Sequence, residues 1–423
     1  MKMCYTIIRM KKYVQILCIM SYINLHSAKR KIAMNFKKYI RIIALTLAMI
    51  ITLCACSGGD TASSDNSSLP FEKTEGEAKV GYIYDRPVSA DSYTYMFEKS
   101  RKDLETALEV ETCYVDNVTV SAFEDAVTAL KNEGCNIIVS AYNGFANAAY
   151  STAKKDKDIY ILSYGGTAAL SNLTCFQPKM YEPAYIGGTV AAYNSKTHKI
   201  GIVCDDVMYQ SYAVMAAFVF GVQEIYKADE TDVKIAYANT KEETEAGVDL
   251  LVAENCDVIF FYQPTDHGMY YCDSLGVKSI GFTMDVEYSA KNKGLMGYYL
   301  NWATFLTDTV RTCMYNNYES EVYVGGFKEA FVKVTDYTAN CKDETDTIAD
   351  TLYEYVRNGS AKIFVGEIRD NENRPRVGNN KVLSHKEILE VDYLVYGVHG
   401  AQNLIKPIDT PPVPDLVVKY DFL

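Results

Sequence analysis

The chain has 423 residues and a formal net charge of −12, but this charge is unevenly distributed along it. The first 56 residues hold ten Lys and Arg and no Asp or Glu, so the remainder carries 32 basic and 54 acidic side chains, a net charge of −22. Such an acidic surface repels phosphate backbones and anionic lipid headgroups, which argues against nucleic-acid binding and against membrane contact through the protein surface itself.

A short apolar segment follows a basic cluster near the N-terminus. Ile42 to Leu53 is too short for an ordinary membrane span, and residues 34–41 before it are rich in Lys and Arg. The motif Leu53-Cys54-Ala55-Cys56 resembles the lipobox of bacterial lipoproteins. It implies that residues 34–55 are a lipoprotein signal peptide and that Cys56 becomes the lipidated first residue, anchored at the extracytoplasmic face of the cell membrane. A cleaved soluble secretory protein and an uncleaved N-terminal anchor are the alternatives.

The segments on either side of this signal are interpreted differently. Residues 1–33 precede a leader that would begin at Met34, and we interpret them as an overcalled start codon. Residues 56–77 are rich in Ser, Asp and Glu and poor in apolar residues, which predicts a polar tether. The remaining part is long enough for two domains.

Apolar runs alternate with amphipathic stretches beyond the tether, starting with a strand at Val80 to Tyr84 and a helix at about 92–108 capped by Asp91. Ser121 and Glu124 match a capping box for a helix that ends at Asn132. Further strands are predicted at 110–115, 136–140, 159–163, 199–204, 233–237, 258–262 and 279–282. Strands that alternate with helices form parallel sheets covered on both faces.

The rhythm is interrupted between Thr174 and Ala184, where Pro178 and Pro183 bracket a crossover. We therefore predict an α/β fold of two doubly wound parallel-sheet lobes joined by crossover strands. Lobe one would span 78–180 and be completed by about 286–325, and lobe two would span 181–285 and be completed by about 326–423. Eight cysteines lie in this region without a CxxC pair, and burial as small hydrophobes is favoured over disulfides.

The carboxyl ends of the predicted strands carry polar and aromatic side chains, and ligands of open parallel sheets bind at these ends. The residues are Asp85, Tyr142, Asn143, Tyr164, Asp205, Asp206, Asn239, Thr240, Tyr262, Gln263 and Asp285. Carboxylates and amides pair with hydroxyls and ring nitrogens, and tyrosines stack, so the set suits a neutral polyhydroxylated or aromatic ligand. Helix capping is the alternative role for each Asp and Asn.

Five segments spread along the chain form an ordered set. They are Val80-Gly81-Tyr82-Ile83-Tyr84-Asp85-Arg86-Pro87, Lys199-Ile200-Gly201-Ile202-Val203, Gly276-Val277-Lys278-Ser279-Ile280-Gly281-Phe282, Gly325-Gly326-Phe327-Lys328-Glu329 and Phe364-Val365-Gly366-Glu367-Ile368-Arg369-Asp370. This set resembles the BMP family of basic membrane lipoproteins. The resemblance covers about residues 78 to 400. It implies a type I periplasmic-binding-protein fold, an ABC permease as partner and, most often, a purine nucleoside or nucleobase ligand.

The resemblance also assigns roles to individual positions. Asp85 matches a family Asp that accepts a ligand hydrogen bond, and Tyr93 matches an aromatic that stacks on a base. Asn143 and Asn147 align with a loop that lines the cleft. Asp285 matches a later acidic residue, and Trp302 matches an aromatic held near the base by some members. Ordinary core packing is the alternative for Tyr93, and a helix anchor is the alternative for Trp302.

Three positions depart from the family pattern. Thr283 stands where many members have an Asp, Lys241 stands near an expected aromatic, and Leu300 stands where nucleoside binders often have Lys. These departures weaken the nucleoside assignment more than the family assignment. The same fold binding another small molecule such as a sugar is therefore an alternative, and so is a ligand sensor in place of an importer subunit.

An enzyme is the rival class, but the chain has no HExxH, GxSxG, Walker or dinucleotide-binding motif. His198, His267, His385 and His399 lack metal-ligand spacing. We therefore expect a monomeric, non-enzymatic binding protein without cofactor or metal.

Overall fold

The computed structural model describes residues 78–89, 93–205, 210–405 and 416–420. The lipobox with Cys56, the tether, the proposed cap Asp91 and the strand-end residue Asp206 lie outside these ranges. Two lobes are formed within the described residues, and each is built on its own sheet.

Five of the six strands of the lobe-one sheet are buried along nearly their whole length, as expected for a sheet covered on both faces. Among the described residues its sheet has the order β11-β5-β4-β3-β1-β2, and all its strand pairs are parallel. Its elements are β1 (Lys79–Ile83), α1 (Tyr93–Leu108), β2 (Glu111–Val115), α2 (Phe123–Asn132), β3 (Ile137–Ser140), α3 (Ala146–Lys155), β4 (Tyr160–Tyr164), β5 (Leu173–Pro178), α9 (Trp302–Met314) and β11 (Val322–Gly325).

Lobe two has the sheet order β12-β10-β9-β8-β6-β7-β15 over the described ranges, and only the β10–β12 pair in it is antiparallel. Its elements are α4 (Tyr181–Asn194), β6 (Lys199–Cys204), α5 (Ser211–Gln223), β7 (Asp232–Tyr237), α6 (Lys241–Ala253), β8 (Val258–Tyr262), α7 (His267–Leu275), β9 (Lys278–Phe282), α8 (Val286–Ala290), β10 (Gly294–Leu300), β12 (Val332–Val334), α10 (Thr345–Arg357) and β15 (Val398–Asn403). A small ribbon of β13 (Ile368–Arg369) and β14 (Pro375–Val377), followed by α11 (His385–Leu389), lies between α10 and β15 in the chain.

The described chain crosses between the lobes at three places: between β5 and α4, between β10 and α9, and between β11 and β12. The first crossover agrees with the prediction from Pro178 and Pro183. The return to lobe one lies near Leu300, later than the predicted position at about 286, because β10 pairs with β9 and extends the sheet of lobe two. The chain end also differs from the prediction, since Lys419 pairs with Tyr114 at the edge of lobe one.

The predicted helix N-terminus at Ser121 differs from the observed one. The predicted capping box of Ser121 and Glu124 is wrong, because residues 120–122 form a 3₁₀ turn and α2 starts only at Phe123. Thr240 and Glu243 do form a capping box, at the start of α6. Within the described residues, none of the helices is both long and apolar enough to cross a membrane.

The eight cysteines of the described domain are all free thiols, and all but Cys341 are buried. The sequence interpretation as small hydrophobes is therefore confirmed for this structure. Two glycines allow a close contact between helices α4 and α5. Gly188 lies against the backbone of Phe218 where α4 crosses α5, and a side chain at either Gly188 or Gly221 would collide with the backbone of the opposing helix.

Candidate functional site

A small cavity lies between the two lobes, where the carboxyl ends of strands from both sheets meet. Its volume is about 20 Å³. The wall is formed by Arg86, Tyr93, Tyr142, Asn143, Tyr164, Met180, Asp205, Tyr262, Phe282 and Leu300. Except for Tyr93, which opens α1, each of these residues ends a strand or follows one closely. The parallel topology thus brings residues together that are more than 200 positions apart in the chain.

One charged cluster lies on the lobe-one side of this cavity. The Tyr93 hydroxyl donates to Asp85 Oδ1 at 2.6 Å, and Arg86 Nε donates to Asp85 Oδ2 at 2.9 Å. The Arg86 guanidinium also lies over the Tyr93 ring, 5.2 Å from its centroid. The Asp85 side chain is only 11 % exposed, so these two donors supply the partners that a buried carboxylate needs.

The ionisation of the cluster follows from this geometry. Burial first, and then the Asp85 carboxylate, raise the pKa of Tyr93 well above its usual value, so Tyr93 stays a neutral donor. Burial opposes the charge of Arg86, but the carboxylate of Asp85, together with Tyr93 and Asp205, raises the pKa of Arg86. The cavity therefore contains a cation whose charge is already balanced by its neighbours.

Aromatic rings form most of the remaining wall. Tyr142 and Tyr164 come from lobe one, and Tyr262 and Phe282 come from lobe two. Burial, followed by the carboxylate of Asp85, raises the pKa of Tyr142, which keeps this phenol neutral as well. Rings on both sides of a narrow cleft can sandwich a flat ligand, while the phenol hydroxyls and the Asn143 amide supply directional hydrogen bonds.

The two lobes touch across the cleft. The backbone N–H of Tyr93 at the start of α1 donates to the carbonyl oxygen of Pro264, which follows β8 of lobe two, at 2.8 Å. A space of about 20 Å³ holds about one water molecule. Entry of anything larger therefore requires that the lobes separate or that side chains such as Arg86 move.

Several residues predicted from strand ends do meet at the cleft. Tyr142, Asn143, Tyr164, Asp205 and Tyr262 line the cavity, as does Tyr93, which the family resemblance had assigned. Asp85 is held directly behind this wall through its bonds to Tyr93 and Arg86.

Other predicted residues lie outside the cavity wall. Asn147 is exposed on α3, and the backbone N–H of Asn239 donates to Glu243 at the start of α6. Asp285 is exposed and caps α8, since its Oδ1 accepts from the backbone N–H of Tyr288 at 3.0 Å. Gln263 donates to the Ala238 carbonyl and to Thr244 within lobe two.

Trp302 is fully buried at the start of α9, behind the cleft. Its ring stacks on Phe97 of α1 with the centroids 4.4 Å apart, and it contacts Tyr164 at 5.2 Å. Trp302 therefore supports a wall residue from behind, within a group of packed aromatic rings.

Sequence reasoning missed four wall residues: Arg86, Met180, Phe282 and Leu300 had not been chosen as site residues. Arg86 and Phe282 lie at strand ends that had been predicted, so the strand-end rule could have found them. Met180 and Leu300 follow or end β5 and β10, two strands that were not predicted. Leu300, noted only as a departure from the family pattern, does face the cavity.

The described parts of the chain contain no group of three or more His, Cys, Asp or Glu side chains that could hold a metal ion. A second and larger cavity, of about 440 Å³, lies beside the first and third crossovers, and its lining includes no wall residue of the cleft. We choose the cleft as the candidate site because the carboxyl ends of strands from both sheets meet there, although its cavity is the smaller of the two.

Two sequence comparisons found proteins that are similar to this chain. A model of the Bmp family, described as ABC transporter substrate-binding protein PnrA-like, matches residues 77–374. A purine-binding protein of Brucella abortus (strain 2308) is 23 % identical over 332 residues, which cover 77 % of this chain and 93 % of that protein.

Solved structures show the same fold at low sequence identity. An ABC transporter solute-binding protein from Aeropyrum pernix has a TM-score of 0.59 at 13 % identity, covering 67 % of this chain and 92 % of that one. One from Conexibacter woesei has a TM-score of 0.58 at 12 % identity, with coverages of 67 % and 97 %. A transcriptional activator of the comK gene from Bacillus halodurans has the same TM-score at 18 % identity, with coverages of 67 % and 99 %. The predicted type I periplasmic-binding-protein fold is confirmed.

Proposed function

This chain belongs to the PnrA-like (Bmp) family of ABC transporter substrate-binding proteins, and we propose that it captures a purine nucleoside or nucleobase between its two lobes for delivery to an ABC importer. The family is a class of solute-binding proteins and not of enzymes. The observation that carries the proposal is the cleft itself, in which tyrosines of both lobes surround an internally neutralised Asp85–Arg86 pair.

The chemistry of the cleft favours a neutral, flat ligand. Tyr93, Tyr142 and Tyr164 on one lobe and Tyr262 and Phe282 on the other offer stacking surfaces, and base–aromatic stacking contributes about 1–3 kcal/mol per base. Asp85 and Asn143 would pair with ring nitrogens or hydroxyls. A purine-binding relative at 23 % identity supports this choice of ligand class.

Leu300 and Thr283 limit the charged groups that the lobe-two side of the cleft offers to a ligand. Leu300 presents an apolar side chain where many nucleoside binders have a Lys, and Thr283 is buried and hydrogen-bonded to Ser289 at 2.8 Å. Neither supplies a charged partner for ribose hydroxyls. Asp205, which follows β6, is then the carboxylate on the lobe-two side of the wall that could accept from ribose hydroxyls, so the cleft suits both a free base and a nucleoside.

Ligand capture would use hinge motion at the crossovers. The lobes separate, which breaks the contact between Tyr93 and Pro264, a base enters, and the lobes close over it. Closure is favoured only by a ligand that binds the closed form more tightly than the open form, and contacts from both lobes provide this difference. The closed form would then dock on a permease. Lipidation at Cys56 would hold the monomer near the permease through the tether of residues 56–77.

The direct test is a calorimetric screen of residues 57–423 against adenosine, guanosine, inosine, their free bases, and sugars. We expect at least one purine to bind with one site per chain and to raise the melting temperature in a concentration-dependent way. If all purines fail and a sugar binds, the purine assignment is wrong and only the solute-binding fold remains.

A matched pair of variants tests the position of the site. Asp85→Ala removes the buried carboxylate and should weaken binding of a confirmed purine by at least tenfold, about 1.4 kcal/mol. Asp285→Ala removes an exposed helix cap that also lies at a strand end, and should leave the affinity unchanged. Equal effects of the two substitutions would contradict the assignment of the cleft.

A further inference from the structure

A pocket of about 440 Å³ lies beside the hinge, separate from the ligand cleft. Lys179 and Glu182 come from the first crossover and the start of α4, and Lys328 comes from the third crossover between β11 and β12. The remaining wall is formed by lobe-two segments that include Arg357, Lys362 and His385. Its volume falls within the range of about 300–1,000 Å³ that is typical of small-molecule sites.

The charge of this hinge pocket is opposite to that of the protein as a whole. Lys179, Lys328, Arg357 and Lys362 line it, in a chain whose net charge is −12. Arg357 pairs with Glu354, and Lys179 lies 3.9 Å from Glu182.

The other two cations have no such partner. Neither Lys328 nor Lys362 forms an ion pair or side-chain hydrogen bond with the described residues, and both are exposed. Several cations around one concavity create a positive potential that attracts anions.

The acidic groups of the pocket reduce this potential only partly. Glu182 is 8 % exposed, and its Oε2 accepts from the Phe327 backbone N–H at 2.6 Å. Burial raises the pKa of Glu182 to about 7, so its carboxyl is partly protonated at neutral pH. Glu329, the other carboxylate of the wall, accepts from the Gly326 backbone N–H at 2.9 Å and lies 4.0 Å from Lys179.

His385 forms a neutral polar part of the wall. Its Nε2 lies 3.0 Å from the side-chain oxygen of Gln177 in β5, and its Nδ1 lies 3.1 Å from the Tyr181 hydroxyl. Gln177 belongs to the sheet of lobe one and Tyr181 opens α4 of lobe two. The wall of the hinge pocket is therefore bonded to both lobes.

We propose that the hinge pocket binds a small phosphomonoester and that its occupancy changes the affinity of the cleft. A phosphomonoester carries about 1.5 to 2 negative charges at neutral pH and accepts hydrogen bonds through three oxygens, which suits several lysines around one concavity. The pocket has room for a sugar-sized group attached to the phosphate. The coupling rests on the proposed closure of the lobes, because two crossovers that form the wall must move when the lobes close.

The binding step is tested by calorimetry with the full-length protein extracted in detergent, using ribose 5-phosphate, inorganic phosphate and uncharged ribose as probes. We expect ribose 5-phosphate to bind with one site per chain, more weakly as ionic strength rises. The double variant Lys328→Ala/Lys362→Ala should reduce this affinity at least tenfold. The matched control Lys154→Ala/Lys291→Ala, which removes two exposed lysines outside the pocket, should not. Absence of ribose 5-phosphate binding, or equal losses in both double variants, would overturn the proposal.

Two further arms separate this site from the cleft. Asp85→Ala should leave the affinity for ribose 5-phosphate unchanged. If this variant no longer bound ribose 5-phosphate, the phosphate would bind in the cleft, and the hinge site would be overturned. Adenine affinity measured with and without saturating ribose 5-phosphate should differ by at least threefold, and equal affinities would remove the coupling. If ribose 5-phosphate binds while every purine fails, the hinge site stands without the proposed purine function. If purines bind and ribose 5-phosphate does not, the proposed purine function stands without the hinge site.

Discussion

The cleft and the hinge pocket differ in how their charges are satisfied. In the cleft, Asp85 has two donors in Tyr93 and Arg86, and its side chain is 11 % exposed. In the hinge pocket, Lys328 and Lys362 are exposed and have no partner among the described residues. A cleft whose cation is already paired and whose walls are aromatic favours neutral rings over anions, whereas a pocket with unpaired cations favours anions.

The comparison also shows why cavity size alone does not identify the main site. The hinge pocket is about 440 Å³ and the cleft cavity only about 20 Å³, because the cleft is closed over its own side chains. Lobes that move relative to one another change the volume of the cleft far more than that of a pocket beside the hinge.

The largest expected effect concerns the aromatic core behind the cleft. Trp302 is fully buried against Phe97, so Trp302→Ala should lower the free energy of unfolding by about 3–5 kcal/mol, measured by urea denaturation. Trp302 Nε1 has no hydrogen-bond partner among the described residues, so Trp302→Phe should cost much less. Trp302→Phe should also keep purine affinity within about twofold. A variant of normal stability that no longer binds purines would instead place Trp302 in the cleft, as the family resemblance implied.

A pH effect on stability should come from Glu182 of the hinge pocket. Burial raises the pKa of Glu182 from 4.5 to about 7, so the folded state holds this proton more tightly than the unfolded state does. The resulting stability is fully present below pH 4.5 and is lost as the pH rises through 7. The shift corresponds to about 3 kcal/mol, and Glu182→Gln should remove that part of the pH dependence in urea titrations between pH 5 and 8.

His385 provides the matched variant with the opposite sign. Burial lowers the pKa of His385 to about 4, so the unfolded state binds this proton more readily and stability falls as the pH decreases from about 6.5 to 4. His385→Gln should therefore reduce the loss of stability on acidification. If Glu182→Gln kept the wild-type slope between pH 5 and 8, the hinge pocket would not contain the partly protonated carboxyl that its geometry indicates.

The sequence predicted the lobes well because most strands are continuous apolar runs of the kind that only a doubly covered sheet can bury. It placed the return to lobe one too early, since nothing local in residues 294–300 tells which sheet that strand will join. Sheet membership depends on tertiary packing, and here β10 pairs with β9.

The candidate site shows a similar limit. Asp85 and Asp285 both follow strands, and the sequence treated them alike. The structure buries Asp85 against Tyr93 and Arg86 and leaves Asp285 exposed as the cap of α8. Capping and ligand binding use the same residue types at the same strand ends, so a local pattern cannot separate them.

The smallest expected effect tests whether the charges of the cleft are balanced as the distances indicate. Tyr93→Phe keeps the ring and the backbone bond to Pro264 but removes the hydroxyl that donates to Asp85 at 2.6 Å. Since Asp85 retains its ion pair with Arg86, the free energy of unfolding should fall by only about 1.5 kcal/mol. Tyr270→Phe, at a position on α7 that is 67 % exposed, is the matched control and should change stability by less than about 0.5 kcal/mol. If both variants lost equally little, Arg86 alone would be sufficient to neutralise Asp85. The Tyr93 hydroxyl would then be available to hydrogen-bond a ligand. In that case Tyr93, and not Asp85, would recognise the base.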